Sequence, residues 1–404
     1  MLMLKALKNR SVRLLWLGQC GSSIGDEIYR VAFIWLAVDL VGSDTGYLAS
    51  LQVFAVLVFT IVGGKWADRW SPYRTMIGVD LLRAVITLTP VALFYFNHQS
   101  FTALVISSIF LAGLGAFFEP AMQATLPLIS HDVSTLKAAN GLMSTTLRLA
   151  RVMGPALIGI LSTVFSSIHF FTINALTYLL SACSVFGIRK QIPAQEHVAE
   201  AKQGNFFKVF LDAIVVLRRK PAVYHAMIAK ATTGGAWGLV YLLGMALLVH
   251  EISPKDVKAF GMVMGAYGIG NISGALLIGN MERKDPERMV YLGLAWLGVC
   301  FLFIGVAKSF PLLLFATALT AIGGPLNDLP FVDLVQAQFP LRDLPKIFRL
   351  RMTIENFSTF VFLLFSPLLF RTFSIRNVIL GAGFFILAFG ISGIRRTNRK
   401  LRPL

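Results

Sequence analysis

The sequence predicts an all-α integral membrane protein of twelve transmembrane helices, arranged as two sets of six. Three observations carry that prediction. Twelve apolar runs of spanning length can be drawn, one long polar stretch separates the sixth from the seventh, and positive charge gathers on one side of the alternating loops. Of the 404 residues 56% are hydrophobic and 14% charged, against about 25% charged in soluble domains. Mean hydropathy is +0.71. A soluble fold has too little interior to hide so much apolar surface, and in hydrocarbon a helix is the element that satisfies its own backbone polar groups.

The runs fall at about 13–40, 45–65, 74–96, 101–122, 138–163, 167–188, 221–249, 257–280, 288–307, 310–333, 351–370 and 375–394, each near the twenty residues that cross a bilayer. Ser11–Gly25 lacks a small-residue cleavage site and reads as the start of a retained first helix. Residues 1–188 then form a first half, 189–220 a linker and 221–404 a second half. Within the linker Phe206, Phe207, Phe210, Ile214 and Leu217 share one helical face opposite charged residues, the pattern of an amphipathic helix lying along the membrane.

A net charge of +17 in a soluble protein suggests nucleic acid. Here the loops account for it. With the N-terminus in the cytoplasm, 27 of the 37 lysines and arginines lie in inner loops and tails, five in outer loops and five within helices. That bias places both termini in the cytoplasm and the chain in the cytoplasmic (inner) membrane. Nucleic acid is not an expected partner; the lipid bilayer is. The cysteines Cys20, Cys183 and Cys300 stand apart with no CxxC pair, so neither zinc nor disulfides are expected and packing is their expected role.

The halves carry a faint repeat: Lys137 and Lys346, and Met143 and Met352, share an offset of 209. Glycines 261, 265, 268, 270 and 274 lie in one apolar run and read as a close-packing surface. There is no GxxxxGK[ST] loop, no HExxH and no GxSxG, so neither nucleotide hydrolysis by that route nor a recognisable enzyme site is expected. No metal site and no cofactor are expected.

Charge inside the helices is the remaining signal, because each such residue costs about 2.5–3.5 kcal/mol on insertion unless paired or wetted. Asp26, Glu27 and Arg30 lie in the first span. Asp26 and Arg30, four apart, can pair on one face and leave Glu27 to one side; the pair is either a proton site or a self-neutralising couple. Asp80 and Arg83 in the third span form either a gating network with the loop before it or a structural ion pair. Glu119, ahead of Pro120, can pair with Arg148 in the fifth span, where Arg148 and Arg151 share a face about 15 Å deep and point to a polar pathway. Lys230 in the seventh span has no charge partner in its own helix and is expected to face a cavity. Asp328, Asp333 and Glu355 are placed near the cytoplasmic side, where pairing with Arg349 and Arg351 suits gate closure.

Between the second and third spans runs Gly63-Gly64-Lys65-Trp66-Ala67-Asp68-Arg69-Trp70-Ser71-Pro72-Tyr73-Arg74. Gly64-x-x-x-Asp68-Arg69 with Arg74 beyond it resembles the loop signature of the major facilitator superfamily, and it stands in the required place. Met153-Gly154-Pro155-Ala156-Leu157-Ile158-Gly159 is similar to that superfamily's antiporter signature, in part: Ala150 replaces a leading glycine and Gly159 is one position late. A plain kink at Gly154-Pro155 is the alternative. Leu14-Leu15-Trp16-Leu17-Gly18-Gln19, Ser23-Ile24-Gly25-Asp26, Asp80-Leu81-Leu82-Arg83-Ala84 and Lys137-Ala138-Ala139-Asn140-Gly141-Leu142 with Arg148-Leu149-Ala150-Arg151 resemble the macrolide-efflux and enterobactin-exporter-like branch.

The resemblance implies two six-helix bundles, alternating access, and export driven by an ion gradient, usually of protons. It implies that Gly64, Asp68 and Arg69 hold one state by docking on the eleventh helix and that Asp26 couples. Glu119-Pro120 departs from the branch, where a basic residue precedes that proline, and the superfamily's helix-4 arginine motif is missing. The expected function is a monomeric proton antiporter exporting a siderophore-like or other anionic, amphipathic small molecule. Arg148, Arg151 and Lys230 would contact cargo, and protonation of Asp26 or Glu119 would reset the cycle. A multidrug or macrolide pump and an organic-anion importer are the transport alternatives; a receptor or a membrane enzyme are the others.

Overall fold

Long apolar runs punctuated by Ser-Pro, Gly and charged turns fold as the helices they spell. The computed structural model describes residues 6–67, 71–96, 101–130, 132–189, 206–254, 256–281, 284–340 and 343–400, and among these there is no β-strand. The first six helices are α1 (Arg10–Val41), α2 (Thr45–Ala67), α3 (Pro72–Tyr95), α4 (Phe101–Ile129), α5 (Val133–Leu161) and α6 (His169–Ile188). The expected amphipathic helix follows as α7 (Phe206–Arg218). The seventh span is α8 (Pro221–Gly238), a π-helical turn (Leu239–Gly244) and α9 (Met245–Ile252). Then come α10 (Val257–Gly279), α11 (Pro286–Val306), α12 (Phe310–Gln338), α13 (Leu344–Thr372) and α14 (Ile375–Lys400).

Among the described residues ten stretches are long and apolar enough to cross a membrane. The first of them, Arg10–Phe59, already holds α1 and much of α2, and α5, which carries Lys137, Arg148 and Arg151, is not among the ten. Twelve crossings are consistent with that. Local chemistry sets the helix starts: Pro72, Pro221 and Pro286 sit in first turns where no amide hydrogen is needed. Asp132 caps α5, accepting from the Thr135 amide at 2.8 Å. The Ser134 hydroxyl and both Thr135 donors hold its carboxyl below the usual carboxylate range.

The chain divides into two compact units, residues 1–36 with 51–201, and 37–50 with 202–404. In the first, α1 lies on α6 through Gly18 and Gly25. A Cβ at Gly25 would stand 2.3 Å from Thr177 Oγ1 and one at Gly18 2.8 Å from Ser184 Cβ. Trp16 Nε1 donates to Thr146 Oγ1 at 2.8 Å and ties α1 to α5. Leu15, Met76, Phe118, Leu126, Ile129 and Val185 fill the core beside them.

The second unit is built on the same close approach of small residues, which in lipid replaces hydrophobic drive with packing. Gly270 and Gly274 seat α10 on α12, as the glycine run suggests; a Cβ at Gly270 would fall 1.9 Å from the Ala318 carbonyl oxygen. Gly298 and Gly390 join α11 to α14, and Gly235 and Gly238 join α8 to α13. The segment 37–50 belongs to this unit. Gly42 turns it at φ +56, Arg371 Nη2 donates to both Asp44 oxygens at 2.7 Å, and His250 Nε2 lies 3.1 Å from Asp39. Of the cysteines only Cys300 is buried; Cys183 is exposed, so packing does not account for it.

Gly270→Leu forces α10 off α12, and overpacking of this kind costs about 1–3 kcal/mol. Gly381, with open space around it, is the control. Thermal melts in detergent should show a drop of several degrees for Gly270→Leu and little change for Gly381→Ala.

Candidate functional site

Each unit holds one cluster of ionised side chains deep in its helices. In the first unit the cluster starts at Asp26, sixteen residues along the 32-residue α1 and so near its middle. Tyr178 of α6 donates its hydroxyl hydrogen bond to Asp26 Oδ1. Arg83 of α3, within electrostatic reach of Asp26, has its guanidinium 5.1 Å from the Phe118 ring and 5.3 Å from the Tyr178 ring. Gly115 of α4 leaves room for it, since a Cβ there would meet Arg83 Nη2 at 3.0 Å. Asp80, wholly buried, stands 3.9 Å from Arg83. That is an ion pair beyond hydrogen-bond reach. Asp80 and Arg83 thus belong to a buried core cluster; Asp68 and Arg69, expected to join them in a gate, lie outside the described residues, and Gly64 is in the last turns of α2.

The expected Asp26–Arg30 pair does not form. Arg30 pairs with Glu27 instead, because Asp26 is turned towards α6 and taken by Tyr178. Glu27 also lies 4.0 Å from Arg151 Nε. Gly154 makes that meeting possible: its missing Cβ would stand 2.4 Å from Glu27 Cβ, so α5 crosses α1 at this residue. Gly154 therefore serves close approach, with Pro155 buried beside it. Arg151 is 72% exposed and Arg148 is exposed with it. Glu119 does not pair with Arg148 among the described residues; it accepts from Gln123 Nε2 at 2.9 Å, one turn along its own helix.

In the second unit Lys230 is neither unpaired nor open. Its Nζ donates to Asp328 Oδ1 at 2.6 Å and to Asn327 Oδ1. Arg351 Nη2 reaches the same Asp328 oxygen at 2.8 Å, and its Nε reaches Glu355 Oε1 at 2.8 Å. The buried Phe331 ring lies under both cations, 5.7 Å from Lys230 Nζ and 5.0 Å from Arg351. Partners on α12 and α13 satisfy a lysine that looks alone within α8. The expected pairing of Asp328 and Glu355 with Arg351 is present. Asp328 is ten residues from the end of α12, Lys230 nine from the start of α8 and Glu355 eleven from the start of α13. At 1.5 Å per residue that is about 15 Å, half the hydrocarbon thickness. Arg351, the first residue of the eleventh apolar run, is part of this set, whereas Arg349 has no ion pair to Asp328 or Glu355 among the described residues.

Sequence reasoning also missed an aromatic group beside the π-helical turn. Trp237 and Tyr241 stack at 4.8 Å with 12° between planes, and Tyr267 of α10 closes on Tyr241 at 4.4 Å. The i, i+4 spacing of Trp237 and Tyr241 was the available signal. Trp237 is seven residues beyond Lys230, so both lie on one side of α8, about 10 Å apart along the axis.

Comparison with known proteins agrees with this architecture. Residues 3–326 match the family described as Transmembrane secretion effector, and 255–403 match the Major Facilitator Superfamily. The multidrug efflux pump Tap of Mycolicibacterium fortuitum is 26% identical, over 75% of this chain and 75% of its own. Macrolide efflux protein A of Streptococcus pyogenes is 22% identical over 93% of both chains. The staphyloferrin A transporter of Staphylococcus aureus is 24% identical over 69% of this chain and 70% of its own. The crystal structure of a bacterial homologue of the human lysosomal transporter Spinster superposes with a TM-score of 0.71 at 13% identity, covering 96% of each chain.

Asp80→Ala leaves Arg83 buried with one carboxylate fewer, and breaking a buried pair costs about 3–5 kcal/mol. Arg148→Ala removes an exposed side chain. A detergent melt should show a large loss for Asp80→Ala and almost none for Arg148→Ala.

Proposed function

Because the chain belongs to the transmembrane secretion effector family of the Major Facilitator Superfamily, a multi-pass membrane transporter and not an enzyme, we propose that it exports an anionic, amphipathic small molecule from the cytoplasm in exchange for protons. The observation that carries this reading is the Asp26 cluster. A half-buried carboxylate at mid-helix, held by a tyrosine hydroxyl and near an arginine, is a group whose charge is costly to keep and whose protonation changes what its neighbours can pair with. Such a group can take a proton from one side of the membrane and lose it to the other.

Arg148 and Arg151 support the cargo class. Two arginines exposed midway along α5 would each cost several kcal/mol against lipid, so they face a wetted path, where they attract negative charge. Relatives named for efflux support the outward direction. The relative named as a staphyloferrin A transporter supports siderophore-like cargo, and those named for multidrug and macrolide efflux keep a drug pump as the second reading. The cycle needs no cofactor beyond the proton gradient. In it Asp26 holds the coupling proton, with Glu119 as the more exposed alternative. Gly64, Asp68 and Arg69 gate the cytoplasmic side, and the protein works as a monomer in the cytoplasmic membrane with both termini inside.

Proteoliposomes loaded with a carboxylate siderophore or a macrolide test this directly. Under an imposed pH gradient, flux of the siderophore should exceed that of the macrolide and should fall at least tenfold in Asp26→Asn, with Tyr178→Phe intermediate. Flux that ignores the gradient sinks the proton mechanism; macrolide flux alone moves the drug-pump reading to first place.

A further inference from the structure

The charge network of the second unit is closed around one of its own carboxylates, and that carboxylate is its least buried member. Lys230 is 7% exposed and Arg351 16%, whereas the Asp328 side chain is 50% exposed. Both cations converge on a single oxygen, Oδ1. Lys230 is fixed from behind by Asn327, whose own amide donates to the Gly323 carbonyl at 2.8 Å, and Arg351 is fixed by Glu355. The cations are therefore held in place by partners other than Asp328, on a Phe331 ring that cannot move aside. Removing Asp328 from between them leaves a formed two-cation cradle open on the side where the Asp328 side chain is exposed.

We propose that this cradle is a carboxylate-binding site in which Asp328 is the resting occupant, displaced when the carboxylate of cargo takes its place between Lys230 and Arg351. The displaced Asp328 loses two cations and keeps a half-buried position, so it takes up a proton; anion binding and proton uptake become one event. The other charged groups near Asp328 are Glu355, held by Arg351, and Asp333 five residues along α12. α10 and α11 carry their charges, Lys258, Glu287 and Arg288, only in their first turns. Trp237 lies about 10 Å along the same side of α8 and stacks on Tyr241 of the π-helical turn one turn further on, and its ring offers a flat apolar surface. The cargo class is thus a carboxylic acid with a ring or apolar body about 10 Å from the acid group. This deepens the reading of an exporter of anions and rests on it for its physiological meaning; the proton taken up at Asp328 moves with the cargo, opposite in direction to those exchanged at Asp26, and the binding site itself does not depend on flux.

The probe is 6-phenylhexanoate, whose ring and carboxylate are separated by about that length, titrated calorimetrically onto the full chain in nanodiscs with empty nanodiscs subtracted. For the wild type we expect affinity to strengthen as pH falls from 8 to 6, approaching tenfold per unit for one linked proton, with proton uptake visible as a buffer-dependent heat. Asp328→Asn should bind at least tenfold more tightly at pH 7.5 and lose the pH dependence. Lys230→Gln should weaken binding, and the neutral amide of the probe should not bind. Trp237→Ala should weaken the probe but leave the proton uptake. Asp328→Asn binding no better than wild type overturns the proposal, as does a pH dependence that persists in that variant, which would point to His225 on α8. If no cargo is ever transported yet Asp328→Asn binds as expected, the site stands and the exporter reading falls. If flux is proton-coupled but the probe binds all variants alike, the reverse holds.

Discussion

A charged side chain in the middle of a bilayer has to find its opposite inside the protein, and that constraint shapes both units. At about 2.5–3.5 kcal/mol per charge on insertion, the energy of one unpaired residue rivals that of any single packing contact. Pairs therefore form wherever a partner is in reach, within one helix for Arg30 on Glu27 and Arg83 near Asp80, and across helices for Arg151 on Glu27, Arg83 near Asp26, and Lys230 and Arg351 on Asp328. The helices must then approach closely enough for short acidic side chains to reach. Glycine supplies that approach at each place. Gly154 lets α5 onto α1 at Glu27, Gly25 brings α6 to α1 beside Asp26, and Gly293 admits the Asn327 backbone, next to Asp328, against α11. Packing and electrostatics are one arrangement here, with small residues placed where charges must meet.

The two clusters differ in how completely they are satisfied. In the second unit each cation has two side-chain oxygen partners at hydrogen-bond distance, Asn327 and Asp328 for Lys230, Glu355 and Asp328 for Arg351. In the first unit Asp80 reaches its arginine only at 3.9 Å, and Arg83 relies on two ring faces, a contact worth about 2 kcal/mol when desolvated. A network of that looser kind has less to lose on rearrangement than a saturated one. The first unit is therefore suited to changing its protonation state and the second to exchanging one anion for another.

Much of this was legible in the sequence, and what was missed has a common cause. Apolar run length, Ser71-Pro72, Asp285-Pro286 and the glycine series located the helices and their small faces, because those signals act within a few residues. The charges could be counted but not paired. Asp26 has Arg30 four residues on and Tyr178 152 residues on. Periodicity speaks only for the first, and the fold chose the second. Lys230 looked unpaired for the same reason: Asp328 is 98 residues away. The Trp237–Tyr241 stack had an i, i+4 signal, but no spacing rule announces the π-helical turn beside it or Tyr267, 26 residues beyond Tyr241, closing on it.

The second unit also carries an ion site and an aromatic surface on one side of one span. Seven residues of α-helix fall short of two turns by about 20° and eleven overshoot three by about 20°, so positions 230, 237 and 241 share a side before any irregularity. The widened turn at Leu239–Gly244 begins beyond Trp237, and within it Tyr241 stacks on Trp237 and lies 4.4 Å from Tyr267 on α10. Gly244 lies at its end, close to Phe370 and Ile379. Trp237 thus stands two turns from Lys230 and Tyr241 three, which sets the aromatic surface in line with the ion site along a single helix face.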